Sequence, residues 1–398
     1  MGVSAHFFVM GMISGVWMAR IPAVKAQAGL SDGALGVALF AIPVGLVFGA
    51  ALAERLVDRV GSAIVARAAG IGNCLLVVPP ALARNLPELM VALLAFGLTG
   101  GTVDVAQNAQ GVRVEAAYAR PVMTSMHSFF SFGAMAGALA GGGFAWIGVG
   151  PLPSLAAAGV AGTLIDGCAG PWLLPGLPGG EGATAQEPPR RRGSRTGRRT
   201  AEGRRVRRLI IALGVLGVCG MVGEGAAGDW SAVYLKDNLG TSAGFAALAF
   251  AAFSVTMTAG RAVGDRLIHR FGAVPLVRCG GLLAAAGLTG ALLSASPGAV
   301  VGGFAVLGAG LSVVVPQVFA AGGRADPARP GSGLAKVVGL GYAGMAAGPA
   351  VIGAAASRVG LHLALAIPVL LALWIAAGAP AIGTCVQRRT DTEHPRRV

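Results

Sequence analysis

Apolar residues come in runs of about 20 along almost the whole chain, each long enough to cross a ~30 Å hydrocarbon layer as a helix. Short polar stretches separate the runs. The strands of a membrane β-barrel would instead appear as alternating segments of about 10 residues. The pattern predicts an all-α polytopic membrane protein with twelve transmembrane helices, near 3–22, 34–54, 63–83, 88–110, 127–147, 152–174, 209–228, 243–263, 273–293, 297–320, 334–355 and 361–384.

Composition and charge agree with this prediction. Only 12% of the 398 residues are charged, whereas a soluble domain has about 25%. The net charge of +14 lies between apolar runs, so it indicates membrane topology rather than nucleic-acid binding. The excess of Arg over Lys is typical of a high-GC bacterium, and we expect a bacterial plasma-membrane protein with both termini in the cytoplasm. Five of the 31 Lys and Arg then fall outside: Arg20, Lys25, Arg84, Lys236 and Arg358.

The chain contains an internal repeat. At an offset of 211, residues 25–61 match residues 236–272 without a gap, and 13 of the 37 positions are identical. The offset spans six helices, so the two copies keep the same orientation in the membrane. This predicts two parallel six-helix pseudo-repeats. The expected domains are an N-terminal bundle (1–174), a linker (175–208), a C-terminal bundle (209–385) and a tail (386–398).

The linker is rich in Pro and Gly and then carries ten Arg between Arg190 and Arg208. A segment this polar cannot bury itself, so we expect it to be disordered in the cytoplasm. Contact with anionic lipid is the favoured role. An arm that binds nucleic acid is the alternative.

Two loops resemble a family signature. Asp58-Arg59-Val60-Gly61, after the second helix, is similar to the loop between helices 2 and 3 of the major facilitator superfamily. The segment ERLVDRVG at 54–61 reappears as DRLIHRFG at 265–272. The resemblance implies an inner gate whose carboxylates and guanidinium groups pair in one access state and part in the other. The alternative is two ordinary charged loops. The gating candidates are Glu54, Arg55, Asp58, Arg59, Asp265, Arg266 and Arg270.

Further segments resemble one branch of that superfamily, the YbjJ-type bacterial transporters, and more distantly fucose permease. They are WMARIPAVKAQAGLS (17–31), DVAQNAQGVRVE (104–115), MHSFFSFGAMAGA (126–138), DWSAVYL (229–235) and FSVTMTAGRAVGDRL (253–267). The resemblance implies a secondary active transporter whose two halves rock around a midplane site. We expect it to carry a small solute, to be coupled to protons and to be a monomer.

Acids inside membrane helices are candidates for function because burying a charge costs several kcal/mol. Asp104 and Asn108 lie one turn apart on one face of the fourth helix. Fucose permease has a similar acid-x-x-x-Asn, in which the acid lies in the central cavity. If the helix begins at Pro87, however, Asp104 lies about 26 Å along it. A gate or a solvated helix end near the cytoplasm is therefore the alternative.

Other intramembrane polar residues are also candidates for substrate or proton binding. Glu224 is the deepest acid of the second half, and Asp229, next to Trp230, falls near the outer end of the same helix. A Trp at such a position is typical of an anchor at the lipid interface, and a surface that binds a sugar is the alternative. Arg20 stands in the first helix, where fucose permease uses an acid. It could pair with an acid, hold an anionic substrate or extend to the outer interface. The remaining candidates are His127, which could serve proton coupling or a helix contact, and Gln317.

The remaining motifs exclude other functions. GLGYAG at 339–344 lies in an apolar run with no preceding strand, so it is not a dinucleotide site. No catalytic motif and no metal-ligand spacing occurs in the sequence, so we expect no enzyme, no cofactor and no metal. An importer of sugar-like solutes, an exporter of drugs or metabolites, and a membrane sensor that transports nothing remain open.

Overall fold

The computed structural model describes residues 1–118, 123–175, 198–294, 296–325 and 330–383. Within these ranges the chain is almost entirely helical. The helices are α1 (Gly2–Gln27), α2 (Asp32–Val60), α3 (Ser62–Leu76), α4 (Leu86–Tyr118), α5 (Met123–Trp146), α6 (Pro151–Ala169), α7 (Arg198–Val233), α8 (Ala243–Phe271), α9 (Ala273–Leu293), α10 (Pro297–Leu311), α11 (Val314–Ala325), α12 (Pro330–Ala364) and α13 (Ala366–Gly378).

Twelve segments of the described chain are long and apolar enough to span a membrane, which confirms the predicted all-α fold. The tenth segment, Pro297–Ala325, contains both α10 and α11. Capping residues and prolines mark the starts of several helices. The Ser31 side chain accepts a hydrogen bond from the Ala34 N–H at the start of α2, and Pro opens α6 and α10, where no N–H is required.

Several helices run past their predicted ends. The apolar run in α4 stops at 110, but the helix continues to Tyr118. α7 begins at Arg198, inside the predicted linker, and a π-helical turn extends it over Tyr234–Asn238. Hydropathy reports where lipid contact ends, whereas backbone hydrogen bonds can continue into water. Linker residues 176–197 and tail residues 386–398 lie outside the described part.

The repeat is visible in the backbone. Among the described residues, six glycines adopt positive φ, and they form three pairs separated by 211 or 212 residues. The values within each pair agree closely: 63° and 65°, 84° and 83°, and 76° and 80°. Because positive φ is costly for residues with a Cβ, both copies use glycine at the same three turns. The pairs are Gly29 with Gly240, Gly61 with Gly272, and Gly148 with Gly360.

The contacts divide the chain into two compact units. Unit 1 contains Met1–Glu187, Gly228–Ser254 and Pro349–Ala364. Unit 2 contains Pro188–Ala227, Val255–Gly348 and Leu365–Val398. Unit 1 therefore joins the first six helices to parts of α7, α8 and α12.

Unit 1 is held together by helix pairs that touch through their backbones. At each contact glycine, an added Cβ would overlap a backbone carbonyl oxygen of the partner helix. Small residues four apart let membrane helices approach this closely. The α1–α5 seam consists of Gly11, Gly15, Gly133 and Gly137, and the α2–α4 seam consists of Gly45, Gly49, Gly97 and Gly101.

Candidate functional site

Asp104 is surrounded by amide groups in unit 1. The Asn108 amide donates to Asp104 Oδ1 at 3.0 Å and to the Asp104 carbonyl at 2.8 Å. The Gln107 amide donates to Asp104 Oδ1 at 3.5 Å, a long bond. The helical spacing of three and four residues creates these contacts within a single helix. No Lys or Arg in the described part forms an ion pair with Asp104.

Packing against α1 fixes the depth of Asp104. Gln107 Nε2 lies 3.0 Å from the sulfur of Met10. Met10 is about 12 Å from the start of α1, and Asp104, one turn further on, is about 16 Å from it at 1.5 Å per residue. That is about halfway across a ~30 Å layer beginning with α1. The sequence alone left a central site and a helix end near the cytoplasm open, because it showed no such neighbour.

His127 belongs to the same cluster. It lies on α5 and interacts electrostatically with Asp104. Its ring packs against the Phe7 ring, with 4.8 Å between centroids and an angle of 56°. We call Asp104, Gln107, Asn108 and His127 the first site. The sequence nominated three of these residues. Gln107 was not among them, because its contact with α1 cannot be read from α4.

Unit 2 contains a second acid site. Arg261 Nη2 of α8 lies 3.1 Å and 3.2 Å from the two carboxylate oxygens of Glu224 on α7. Both side chains keep some exposure, 34% for Arg261 and 27% for Glu224. Glu224 is about 22 Å from Leu209 and about 21 Å from Asn238, so it lies near the middle of this apolar helix. We call Glu224 and Arg261 the second site.

Sequence reasoning missed Arg261, although a signal was present. Arg261 lies inside the predicted 243–263 span, and a cation within an apolar run is a functional candidate in the same way as an acid. What the sequence could not show is the pairing. Glu224 and Arg261 lie on different helices, and only the packing of α7 against α8 brings them together.

The remaining candidates lie apart from these two sites. Arg20 is buried and donates to the Val149 carbonyl at 2.6 Å. No carboxylate of the described residues pairs with it, so it holds the loop after α5. Asp229 is half-buried and likewise forms no ion pair within the described ranges. Gln317 is half-buried on α11.

Trp230 corrects one expectation. Beside Asp229, near the outer end of α7, it was expected to anchor the helix at the lipid interface. Its side chain is fully buried instead, at 0% exposure. An interface anchor needs contact with the headgroup region, so Trp230 serves the protein interior.

The predicted gating loops are open to solvent in this structure. Exposed residues at the end of α2 are Glu54, Arg55, Asp58 and Arg59, and at the end of α8 they are Arg266 and Arg270. Within the described residues, none of them forms an ion pair. Arg270 lies over the Phe271 ring, 5.3 Å from its centroid. The side chain of Asp265 lies outside the described part.

The opposite end of unit 1 is closed by charges. Lys25 is buried and forms ion pairs with Asp32, at 2.5 Å, and with Asp237. We call these three residues the Lys25 cluster. Asp237 follows α7, whereas Lys25 and Asp32 belong to the first pseudo-repeat, so the cluster joins the two sequence halves. Sequence reasoning treated Lys25 as a topology charge because nothing in the sequence pairs it with Asp237.

Close packing reinforces the Lys25 cluster. A Cβ at Gly36 of α2 would lie 2.6 Å from the Pro349 carbonyl oxygen and 2.9 Å from the Gly353 Cα. A Cβ at Gly228 of α7 would lie 2.9 Å from the Met18 sulfur. Helices of the two sequence halves therefore touch within unit 1 at this end.

Nothing in the described residues resembles a metal centre. No group of three His, Cys, Asp or Glu side chains there could hold a metal ion. The polar groups that do converge are carboxylates, amides, an imidazole and a guanidinium. Such groups bind hydroxyl, carboxyl and amide functions of small solutes, and they bind protons.

Sequence comparison finds relatives that match nearly the whole chain. No protein-family model matches the chain. An uncharacterized MFS-type transporter of Yersinia pestis is 33% identical over 380 residues, covering 94% of both chains. An uncharacterized transporter of Sinorhizobium fredii, y4wD, is 32% identical over 386 residues, covering 96% of this chain and 97% of its own. Membrane protein MosC of Rhizobium meliloti is 30% identical, covering 95% and 88%.

Solved structures agree on architecture at low identity. The nucleoside transporter NupG superposes with a TM-score of 0.69 at 12% identity, covering 97% of this chain and 98% of its own. A bacterial homolog of the human lysosomal transporter Spinster, inward-facing and unoccupied, gives 0.70 at 14%, covering 97% and 96%. At such identities the likeness establishes the fold alone.

Proposed function

Because this chain belongs to the family of MFS-type transporters, we infer that it moves a small polar solute across the membrane by alternating access, driven by protons. One observation carries this proposal. The first and second sites each place an acid near the middle of a membrane helix, beside groups that can bind a polar solute. Charged groups at that depth cost free energy, so their presence there is an indication of a transport role.

The first site supports proton binding. The hydrogen-bond donors to Asp104 are amides, so the carboxylate can take up a proton without breaking an ion pair with Lys or Arg in the described residues. Asn108 and Gln107 can then rotate to donate to hydroxyl or carbonyl groups of the solute. The Asp104-x-x-x-Asn108 spacing, which resembles that of fucose permease, supports a solute rich in hydroxyl groups.

The second site supports solute binding through charge exchange. Arg261 presents a planar guanidinium that can bind a carboxylate or hydroxyl group of the solute. When the solute occupies Arg261, Glu224 loses its partner, and a proton can then balance its charge. Both sites therefore supply a carboxylate that can change its partner during the cycle.

The gates support alternating access. In this structure the Lys25 cluster closes one end of unit 1, while the charged residues at the end of α2 are exposed. In the opposite access state, the Lys25 cluster would separate and the charged residues at the end of α2 would pair. We place the Lys25 end outside, the termini in the cytoplasm and the Arg-rich linker on anionic lipid, in agreement with the distribution of Lys and Arg.

Transport assays with the whole protein in liposomes test this proposal. A pH-sensitive dye trapped inside reports proton entry when sugars, polyols or sugar acids are added one at a time. We expect one class to drive proton movement, and the same radiolabelled solute to accumulate when the lumen is alkaline. Reconstitution in both orientations separates import from export. A protein that moves no solute in either orientation, with or without a pH gradient, would be a sensor and would overturn the proposal.

A further inference from the structure

A second pair of ionisable groups lies buried in unit 1, away from Asp104. His6 Nδ1 of α1 lies 3.0 Å from Asp166 Oδ1 of α6, with side-chain exposures of 0% and 2%. The approach is bent, and neither atom has a better-aligned hydrogen-bond partner in the described residues. The other ring nitrogen of His6, Nε2, is also buried without a partner there.

The neighbouring helix leaves room for this pair. Gly70 of α3 faces it, and a Cβ at that position would lie 2.6 Å from Asp166 Oδ2 and 3.2 Å from His6 Nδ1. Such distances to a buried carboxylate are too short for any side chain. Three helices therefore enclose His6 and Asp166, whose side chains are 0% and 2% exposed.

The electric charge of the pair depends on one proton. A neutral imidazole with an ionised carboxylate carries a net charge of −1, whereas an additional proton makes the pair neutral. An uncompensated charge in an apolar interior is costly, while a neutral pair is tolerated. The unpartnered Nε2 of His6 means that no protein hydrogen bond competes for that site in the described chain.

Few ionisable groups surround the pair. On α3, Cys74 is buried near Asp166, and Arg67, which packs against Gly170, is exposed. On α4 and α5 the nearest groups are those of the first site, Asp104 and His127, which contacts Phe7. Arg113 of α4 donates to the carbonyls of Leu174 and Pro175. None of these cations forms an ion pair with Asp166 in the described structure.

We propose that His6 and Asp166 form a proton-binding site inside the first helical bundle, separate from the acids proposed for transport. With the proton bound, the neutral pair joins α1 to α6 beneath Gly70. When the proton leaves, the buried negative charge weakens that connection. The stability of the bundle thus falls as the pH rises.

Unfolding of the full-length protein in detergent micelles at pH values from 6 to 9 tests this site. We expect the midpoint temperature of the wild type to fall with rising pH, since loss of one proton changes the unfolding equilibrium up to tenfold per pH unit. In Asp166→Asn, His6 has no charged partner, so this contribution to the slope disappears. Cys74→Ser, which changes a buried neighbour of Asp166 that the proposal does not use, is the control and should keep the wild-type slope.

A second variant, His6→Gln, allows the same measurement if Asp166→Asn fails to fold. His6→Gln fills a similar volume and can donate to Asp166, but it cannot take up the proton. It should also lose the wild-type slope. Spectra of ¹⁵N-labelled histidine, assigned with this variant, distinguish the protonated from the neutral form of the His6 ring at each pH. Wild-type slopes in both folded variants, or in His6→Gln alone if Asp166→Asn does not fold, would make the contact a fixed structural bond and overturn the proposal.

Discussion

Asp104 and Glu224 lie near the middle of comparable membrane helices, but their neighbours differ in charge. Asp104 accepts hydrogen bonds from the amides of Asn108 and Gln107, both on its own helix. Glu224 faces the guanidinium of Arg261, which comes from another helix. An amide leaves the charge of a carboxylate unbalanced, whereas a guanidinium balances it. The proposed function therefore gives proton uptake to the first site and partner exchange to the second.

The largest expected effect comes from Asp104→Asn, which removes the proton acceptor and keeps its shape. Proton-driven accumulation should fall by roughly 100-fold or more, the range for loss of an essential proton-transfer group. Exchange of labelled for unlabelled solute without a gradient should persist, because it needs no net proton movement. Accumulation and exchange in matched liposomes measure the two. Gradient-driven accumulation at the wild-type rate would remove Asp104 from the coupling step.

The next effect concerns Arg261→Ala, which leaves Glu224 without its cation. We expect a loss of stability of roughly 1–2 kcal/mol, below the 3–5 kcal/mol of a fully buried pair because both groups retain contact with solvent. Glu224→Gln added to Arg261→Ala should recover part of that loss. Unfolding temperatures of the single and double variants in detergent measure the coupling. Strictly additive effects would show that the two groups act independently.

A smaller effect is expected for Asn108→Ala, which removes one neutral donor from Asp104. One such bond contributes about 1 kcal/mol, so the apparent affinity for the solute should fall roughly fivefold. Asn85→Ala is a matched control, since Asn85 precedes α4 and donates to the exposed Glu88 in its first turn, not to the first site. Initial rates at increasing solute concentration give both affinities. Equal losses in the two variants would indicate a general effect on α4.

The smallest effect concerns the Lys25 cluster, which we propose as a gate at one end of unit 1. Lys25→Gln should open the Lys25 end about fivefold more often, because partly exposed pairs contribute up to about 1 kcal/mol. Lys236→Gln changes the matching repeat position, which forms no ion pair in the described residues, and should leave gating unchanged. The rate at which a thiol reagent labels Met18→Cys reports the opening. Equal labelling rates in the two variants would contradict a gating role for Lys25.

The sequence predicted what local patterns determine. Twelve helices follow from apolar runs, and the Asp104–Asn108 contact follows from helical spacing. Contacts between distant segments, such as Glu224 with Arg261, Lys25 with Asp237, and His6 with Asp166, depend on packing that no local pattern encodes. The contact that relates this part of α4 to α1 is equally distant in sequence, since Met10, which contacts Gln107, lies nearly one hundred positions earlier in the chain.

The α1–α5 and α2–α4 seams have a mechanical consequence. Side chains that interlock can change rotamer and let two helices slide, but a seam of glycine against carbonyl oxygen has no rotamers to change. Each helix pair must therefore move as one rigid body. Any movement that alternates access has to take place at hinges outside the seams. A methyl group placed at Gly133 would push α5 away from α1 without contacting Asp104 or Glu224.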